Sequence, residues 1–89
     1  MNYGSIANYT SNEGSATTTD TTITLPRNSL KLVIINDDAT NDLNVKLATG
    51  GDTMTVKAGE TISLENYSTK TVIVTAGTGT VPYRVWSFG

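Results

Sequence analysis

The chain has 89 residues, of which 16% are charged, and its formal net charge is -2 at pH 7. It contains neither cysteine nor histidine, which excludes disulfides, Ser-His-Asp and Cys-His catalytic groups, and the zinc sites that use these ligands. The six basic residues are scattered and no apolar run approaches the ~20 residues that span a bilayer, so we expect neither nucleic-acid nor membrane binding.

The first 20 residues contain few large apolar side chains and follow neither a strand nor a helix period. Tyr3, Ile6 and Tyr9 are the anchors of this segment. We predict that residues 1–20 form an extended N-terminal arm and that residues 21–89 form a single domain. An arm without a core of its own becomes ordered by lying against another protein. We therefore expect Tyr3, Ile6 and Tyr9 to contact a neighbouring subunit or a partner.

From residue 21 onward, short runs alternate apolar and polar residues and end at proline, glycine or asparagine, a pattern typical of β-strands. The run at residues 29–36 is predicted to be a central strand with Leu30, Leu32 and Ile34 on one face. The run before it is expected to stop at Pro26, which cannot donate to a ladder. The predicted strands cover residues 21–25, 29–36, 43–48, 53–57, 61–65, 71–76 and 80–88. The sequence therefore predicts an all-β fold, a single antiparallel β-sandwich or small barrel of six to seven short strands with an extended N-terminal arm.

The last predicted strand has a second apolar face, formed by Arg84, Trp86 and Phe88. Three interpretations of Trp86 stay open: a cap on one end of the core, a contact between subunits, or part of a carbohydrate platform. Tryptophan and arginine are frequent in the residues that dominate protein interfaces. Arg84, Trp86 and Phe88 are therefore candidate partner-binding residues, together with the three arm residues.

No catalytic, metal or cofactor site is predicted. A carboxylate pair is the simplest remaining catalytic option, but Glu60 and Glu65 fall on opposite faces of their strand by parity. The oxygen-rich run at residues 36–42 (NDDATND) has a Ca²⁺ site and a turn as alternatives, and the mismatch with an EF-hand loop favours the turn. The glycines at 77 and 79 precede a strand rather than a helix, which indicates a hairpin turn and not a phosphate loop. We therefore predict that the protein is not an enzyme.

Three segments between Ile34 and Val85 carry a family resemblance: LNVKL at residues 43–47, VKAGETISL at 56–64 and GTVPYRV at 79–85. Together they resemble small β-sandwich virion proteins of tailed bacteriophages, in which an Ala-Gly-Glu turn and a closing Tyr-Arg-Val strand recur. The resemblance implies no catalytic residues.

This resemblance implies a structural virion protein, above all a capsid decoration or cement protein that binds the outer surface of the major capsid protein and stabilises the head. A module of the tail, the baseplate or a head fibre is the alternative within the phage setting, and a small carbohydrate-binding module is the alternative outside it. The expected partners are the major capsid protein or another virion protein, together with further copies of the chain, with a trimer favoured. The expected location is the phage particle, after synthesis in the host cytoplasm.

Overall fold

The structure, a computed structural model, describes residues 9–89, without the side chains of residues 66–68. Tyr3 and Ile6 lie outside the described residues. Across the described part of the chain, no helix has the length and apolar character needed to cross a membrane. The strands are β1 (Tyr9–Ala16), β2 (Thr21–Asn36), β3 (Leu43–Lys46), β4 (Met54–Val56), β5 (Thr61–Ala76) and β6 (Val81–Phe88). All strand pairs are antiparallel, which confirms the predicted all-β antiparallel class.

The strands form one hydrogen-bonded sheet in the order β1-β6-β2-β5-β3-β4. The start of β2 (21–24) pairs with the end of β5 (71–74), whereas the end of β2 (31–35) pairs with the start of β5 (61–65). Each of these two long strands therefore belongs to both halves of the sheet. We call the half that contains β1, β6, the end of β2 and the start of β5 the first layer. The second layer contains the start of β2, the end of β5, β3 and β4.

The apolar core joins the two layers. A flat sheet would leave one face in water, yet buried side chains from both halves belong to one cluster, so the sheet is folded over as a two-layer sandwich. Burying each of the larger aliphatic side chains contributes roughly 1.5–3 kcal/mol. The first layer supplies Leu32, Ile34, Val81 and Val85, and the second supplies Leu43, Val45, Val56, Val72 and Val74.

A bend in β2 allows the sheet to fold over. The β2–β5 register shifts between Thr24 and Ser29 and again between Ser29 and Lys31, and such bulges bend a strand and increase its twist. Pro26 lies in this bend, so the expected end of a strand at Pro26 is wrong, and two predicted runs are one strand. The bulge also changes the parity of the side chains. Leu30 is consequently 63% exposed, although the alternation predicts that it shares a face with Leu32 and Ile34, which are buried.

Residues 9–16 form the edge strand β1, although the sequence assigned them to an arm outside the domain. β1 pairs with β6 in an unbroken register from Tyr9 opposite Phe88 to Ala16 opposite Val81. Ala16 is fully buried in the core. The next residue, Thr17, accepts a hydrogen bond from the Ala76 amide at 2.7 Å. This part of the chain is therefore tied to both layers of the sandwich.

Candidate functional site

The outer face of β6 carries the candidate residues of the last strand. Because successive side chains of a strand point to opposite sides, the buried Val81, Tyr83 and Val85 alternate with residues on the outside of the first layer. The outward set is Arg84, Trp86 and Phe88, with Arg84 and Trp86 half-buried and Phe88 39% exposed. Trp86 therefore lies outside the core, which argues against the interpretation of this side chain as a core cap.

The strand pairing brings residues from distant parts of the chain beside Trp86 and Phe88. Tyr9 of β1 lies opposite Phe88 and is 59% exposed. On the other side of β6, Val33 of β2 lies opposite Trp86. Side chains directly opposite each other on neighbouring strands share a face and contact each other. We call the outer surface formed by Tyr9, Val33, Trp86 and Phe88 the aromatic face.

A shallow groove runs along the aromatic face between β1 and β6. Its volume is about 260 Å³, and its exposed lining is almost wholly apolar. Tyr9, Trp86 and Phe88 line it together with Thr10 and Ser11. The Thr10 hydroxyl group also forms a hydrogen bond with that of Ser87, which joins the two strands at this end. The groove therefore offers contact area for apolar groups and few polar anchors.

Arg84 fixes one end of the aromatic face. Its Nε donates to Asp37 Oδ2 and its Nη2 donates to Asp37 Oδ1, both at 2.8 Å. The guanidinium carbon lies 5.5 Å from the centre of the Trp86 ring, within the range of a cation–π contact. The hydrogen bond and then the charge of Arg84 lower the pKa of Asp37. The hydrogen bond to Asp37 raises the pKa of Arg84, with a further contribution from the charge of Glu13.

The oxygen-rich loop after β2 is built around Asn36. This side chain is buried, and its Nδ2 donates to the main-chain oxygens of Asn41 and Val56, each at 2.9 Å. Its Oδ1 accepts a hydrogen bond from the Asp38 amide at 2.8 Å. One amide side chain therefore connects the end of β2, the loop and β4.

The carboxylates around this loop are occupied by N–H donors. Asp38 accepts hydrogen bonds from the amides of Asn41 and Thr40, and these bonds lower its pKa. Glu60 accepts from the Lys57 amide at 3.0 Å, in the turn before β5. Within residues 9–89, no three acidic side chains converge on a point that suits a metal ion. These hydrogen bonds favour the interpretation of residues 36–42 as a turn over their interpretation as a Ca²⁺ site.

No protein-family model matches the chain, and no curated protein matches it. Solved structures share its fold. Protein NMB1881 from Neisseria meningitidis superposes with a TM-score of 0.59 at 13% identity, over 93% of this chain and 76% of that protein. A putative ethanolamine utilization protein Q from Salmonella typhimurium gives a TM-score of 0.57 at 14% identity, over 93% of this chain and 59% of that protein. Ectoine synthase from P. lautus gives a TM-score of 0.50 at 13% identity, over 92% of this chain and 55% of that protein.

These neighbours contradict the expectation of a phage virion protein, since they are bacterial proteins and none of the three is named as a capsid, tail or fibre component. The capsid decoration assignment and the alternative of a phage tail, baseplate or head-fibre module are therefore wrong. The resemblance rested on short segments such as Ala58-Gly59-Glu60. Gly59 has a φ of 74°, and any hairpin connection that needs this conformation favours glycine. Such a turn identifies a β-hairpin and does not identify a family.

Proposed function

We propose that this chain is a non-catalytic module that associates with a second copy of itself through the aromatic face. One observation carries the proposal: Tyr9 from β1 and Trp86 and Phe88 from β6 converge on the outside of the sandwich. A contiguous exposed apolar patch of this kind marks an interaction surface. Tyrosine, tryptophan and arginine are the residues that most often dominate the binding energy of such surfaces.

The charges around the aromatic face support a second copy as the partner. Lys31 lies opposite Phe88, and Glu13 lies opposite Arg84. The Asp37 carboxylate neutralises Arg84. A rim with both signs is complementary to itself when one surface patch meets the same patch about a two-fold axis. Association also stabilises a small domain that has no disulfide to reinforce it.

The chemistry of the chain supports a binding role over a catalytic one. A small-molecule site needs several convergent polar groups, and the groove on the aromatic face presents an apolar lining instead. The chain has no histidine or cysteine, and its Asp38 and Glu60 carboxylates hold turns. Ectoine synthase is an enzyme by name, but similarity at 13% identity extends to the fold and carries no activity to this chain.

Sedimentation velocity across a dilution series tests the proposal. We expect a monomer–dimer equilibrium, and we expect Phe88→Ser to weaken it by about tenfold or more, equivalent to about 1.4 kcal/mol. Leu30→Ser is the matched control, because Leu30 is a more exposed apolar residue outside the aromatic face. Trp86 is the only tryptophan, so its fluorescence emission should shift to longer wavelength as the dimer dissociates. A monomer at all concentrations, a trimer, or equal effects of the two substitutions would contradict the proposal.

A further inference from the structure

The side of the sandwich between β4 and the start of β5 has two strand edges. In the first layer, residues 61–65 of β5 pair with β2 on one side. Their other side has no paired strand within the described chain, because β3 pairs with residues 73–76 further along β5. In the second layer, β4 is the last strand of the sheet. A tight turn joins the two edges, closed by a hydrogen bond from the Glu60 amide to the Lys57 oxygen at 2.8 Å. The two edges therefore lie in different layers and are joined by this turn.

A groove of about 640 Å³ lies between these edges. Its apolar lining includes Leu47, Met54 and Leu64, which are partly exposed and pack against the core. Asp52 and Glu65 are exposed and also line it. We call this cavity the edge groove. It differs from the groove on the aromatic face because it combines an apolar floor, a strand edge and two carboxylates.

We propose that the edge groove binds an extended peptide segment of another protein, with apolar side chains at alternate positions and a lysine or arginine beside them. The strand edge determines the extended conformation, because unpaired N–H and C=O groups accept a further antiparallel strand. In a strand added to residues 61–65, every second side chain points toward the floor formed by Met54 and Leu64.

The negative charge of the edge groove explains why the bound peptide should carry a lysine or an arginine. The charged side chains that line the groove are the two carboxylates, which attract a cation and repel an acidic peptide. Lys31 lies opposite Glu65 in the β2–β5 register, so Asp52 is the principal partner for the incoming cation. This proposal rests on the strand edge and the two carboxylates, and not on self-association through the aromatic face. The two surfaces are separated by β2, where Val33 lies opposite Trp86 on one side and opposite Ser63 on the other.

Titration of ¹⁵N-labelled protein with two synthetic peptides tests the proposal. The first is acetyl-Thr-Lys-Val-Thr-Val-Lys-Thr-amide, and the second has glutamate in place of both lysines. We expect the lysine peptide to bind with a Kd of about 1 mM or tighter and to shift the amide resonances of residues 52–54 and 61–65. We expect the glutamate peptide to bind about tenfold more weakly or not at all.

Two variants complete the test. Asp52→Lys changes an exposed side chain and should weaken the lysine peptide by about tenfold, with an unchanged circular dichroism spectrum. Phe88→Ser should bind the lysine peptide as the unmodified chain does, which separates this groove from the aromatic face. Equal binding of the two peptides, or shifts centred on residues 84–88, would overturn the proposal. It would also be overturned if the lysine peptide bound only after residues 1–8 were deleted, or if self-association alone shifted the edge-groove amides.

Discussion

Arg84 and Asp37 form a bidentate ion pair, with both N–H···O distances at 2.8 Å. The pair joins the last strand to the loop that follows β2. The planar guanidinium group matches the two carboxylate oxygens, and this geometry makes a stronger contact than a single charged hydrogen bond. Because the same guanidinium group lies over Trp86, the ion pair also determines the position of the cation beside the aromatic face.

The ion pair predicts a pH-dependent contribution to stability. Arg84 lowers the pKa of Asp37 below the ordinary value of 3.8. A carboxyl group with a lowered pKa in the folded state stabilises the fold above its unfolded pKa, and this contribution is lost as the pH falls through the folded value. Asp37→Asn should therefore lower the Tm near neutral pH, and the difference should begin to shrink below about pH 4 and disappear once the pH falls below the lowered pKa of Asp37.

Thermal unfolding followed by circular dichroism, in low salt and across the acidic range, measures this difference. Arg84→Lys is the matched control because it retains the positive charge without the planar fork. It should lower the Tm as well, although by less than Arg84→Ala. A Tm difference between Asp37→Asn and the unmodified chain that stays constant down to the lowest pH would contradict the role of the ion pair.

The bulge in β2 predicts opposite outcomes for two neighbouring leucines. Leu32 is fully buried, so Leu32→Ala should lower the free energy of unfolding by about 2–5 kcal/mol. Leu30 is exposed, so Leu30→Ala should change it by less than about 0.5 kcal/mol. Urea denaturation measures both values. Similar losses for the two variants would mean that the alternation continues through Ser29 without a bulge.

The position of Ala16 in the edge strand β1 predicts that a charged side chain at this residue strongly lowers the free energy of unfolding. Ala16→Asp would bury a carboxylate in the apolar core, and we expect a loss of about 3 kcal/mol or more, or failure to fold. Ser15 is exposed, so Ser15→Asp should stay within about 0.5 kcal/mol of the unmodified chain. Chemical denaturation of the pair measures the difference. If Ala16→Asp were tolerated as well as Ser15→Asp, residues 9–16 would not be part of the sandwich.

The hydrogen bonds of Asn36 predict that replacing its amide group lowers the free energy of unfolding. In the unmodified chain, the carbonyl groups of Asn41 and Val56 accept hydrogen bonds from the Asn36 amide group. Asn36→Asp keeps the shape of the side chain but places a carboxylate oxygen against these two carbonyl oxygens. We expect a loss of about 3 kcal/mol or more at neutral pH, since buried polar groups are left without partners. Asn41→Ala is the control, because Asn41 contributes its main-chain oxygen to this network. Comparable urea midpoints for the two variants would contradict the assigned network.

The strands with one buried face could be predicted from the sequence. In β3 and β6, alternation between apolar and polar residues matches the buried and exposed sides because each strand packs one face on the core. β1 could not be predicted in this way, because Ala16 is its one buried residue and its pairing with β6 holds the rest in place. Pro26 is a local stop signal that the tertiary fold overrides by placing it in a bend.

The residues of the aromatic face were recognisable by type, but their convergence was not. The sequence pattern places Tyr9 in an arm, whereas it places Trp86 and Phe88 on a separate surface of the last predicted strand. They meet because the first described strand pairs with the last, which is a contact that no local pattern encodes. The edge groove was missed for a related reason. Met54 and Leu64 follow an inward alternation, and only the edge of the sandwich leaves them partly exposed.

The passage of β2 and β5 through both layers also governs how the chain folds. The first layer requires residues 31–35 to meet residues 61–65, and the second layer requires residues 21–24 to meet residues 71–74, with β3 and β4 in the intervening chain. Pairings between residues so distant in sequence are slow, and small all-β domains of this kind fold in roughly milliseconds to seconds. Because each long strand is shared, neither layer can persist without the other. The two layers should therefore form and melt in one cooperative transition, with no half-sandwich as a stable species.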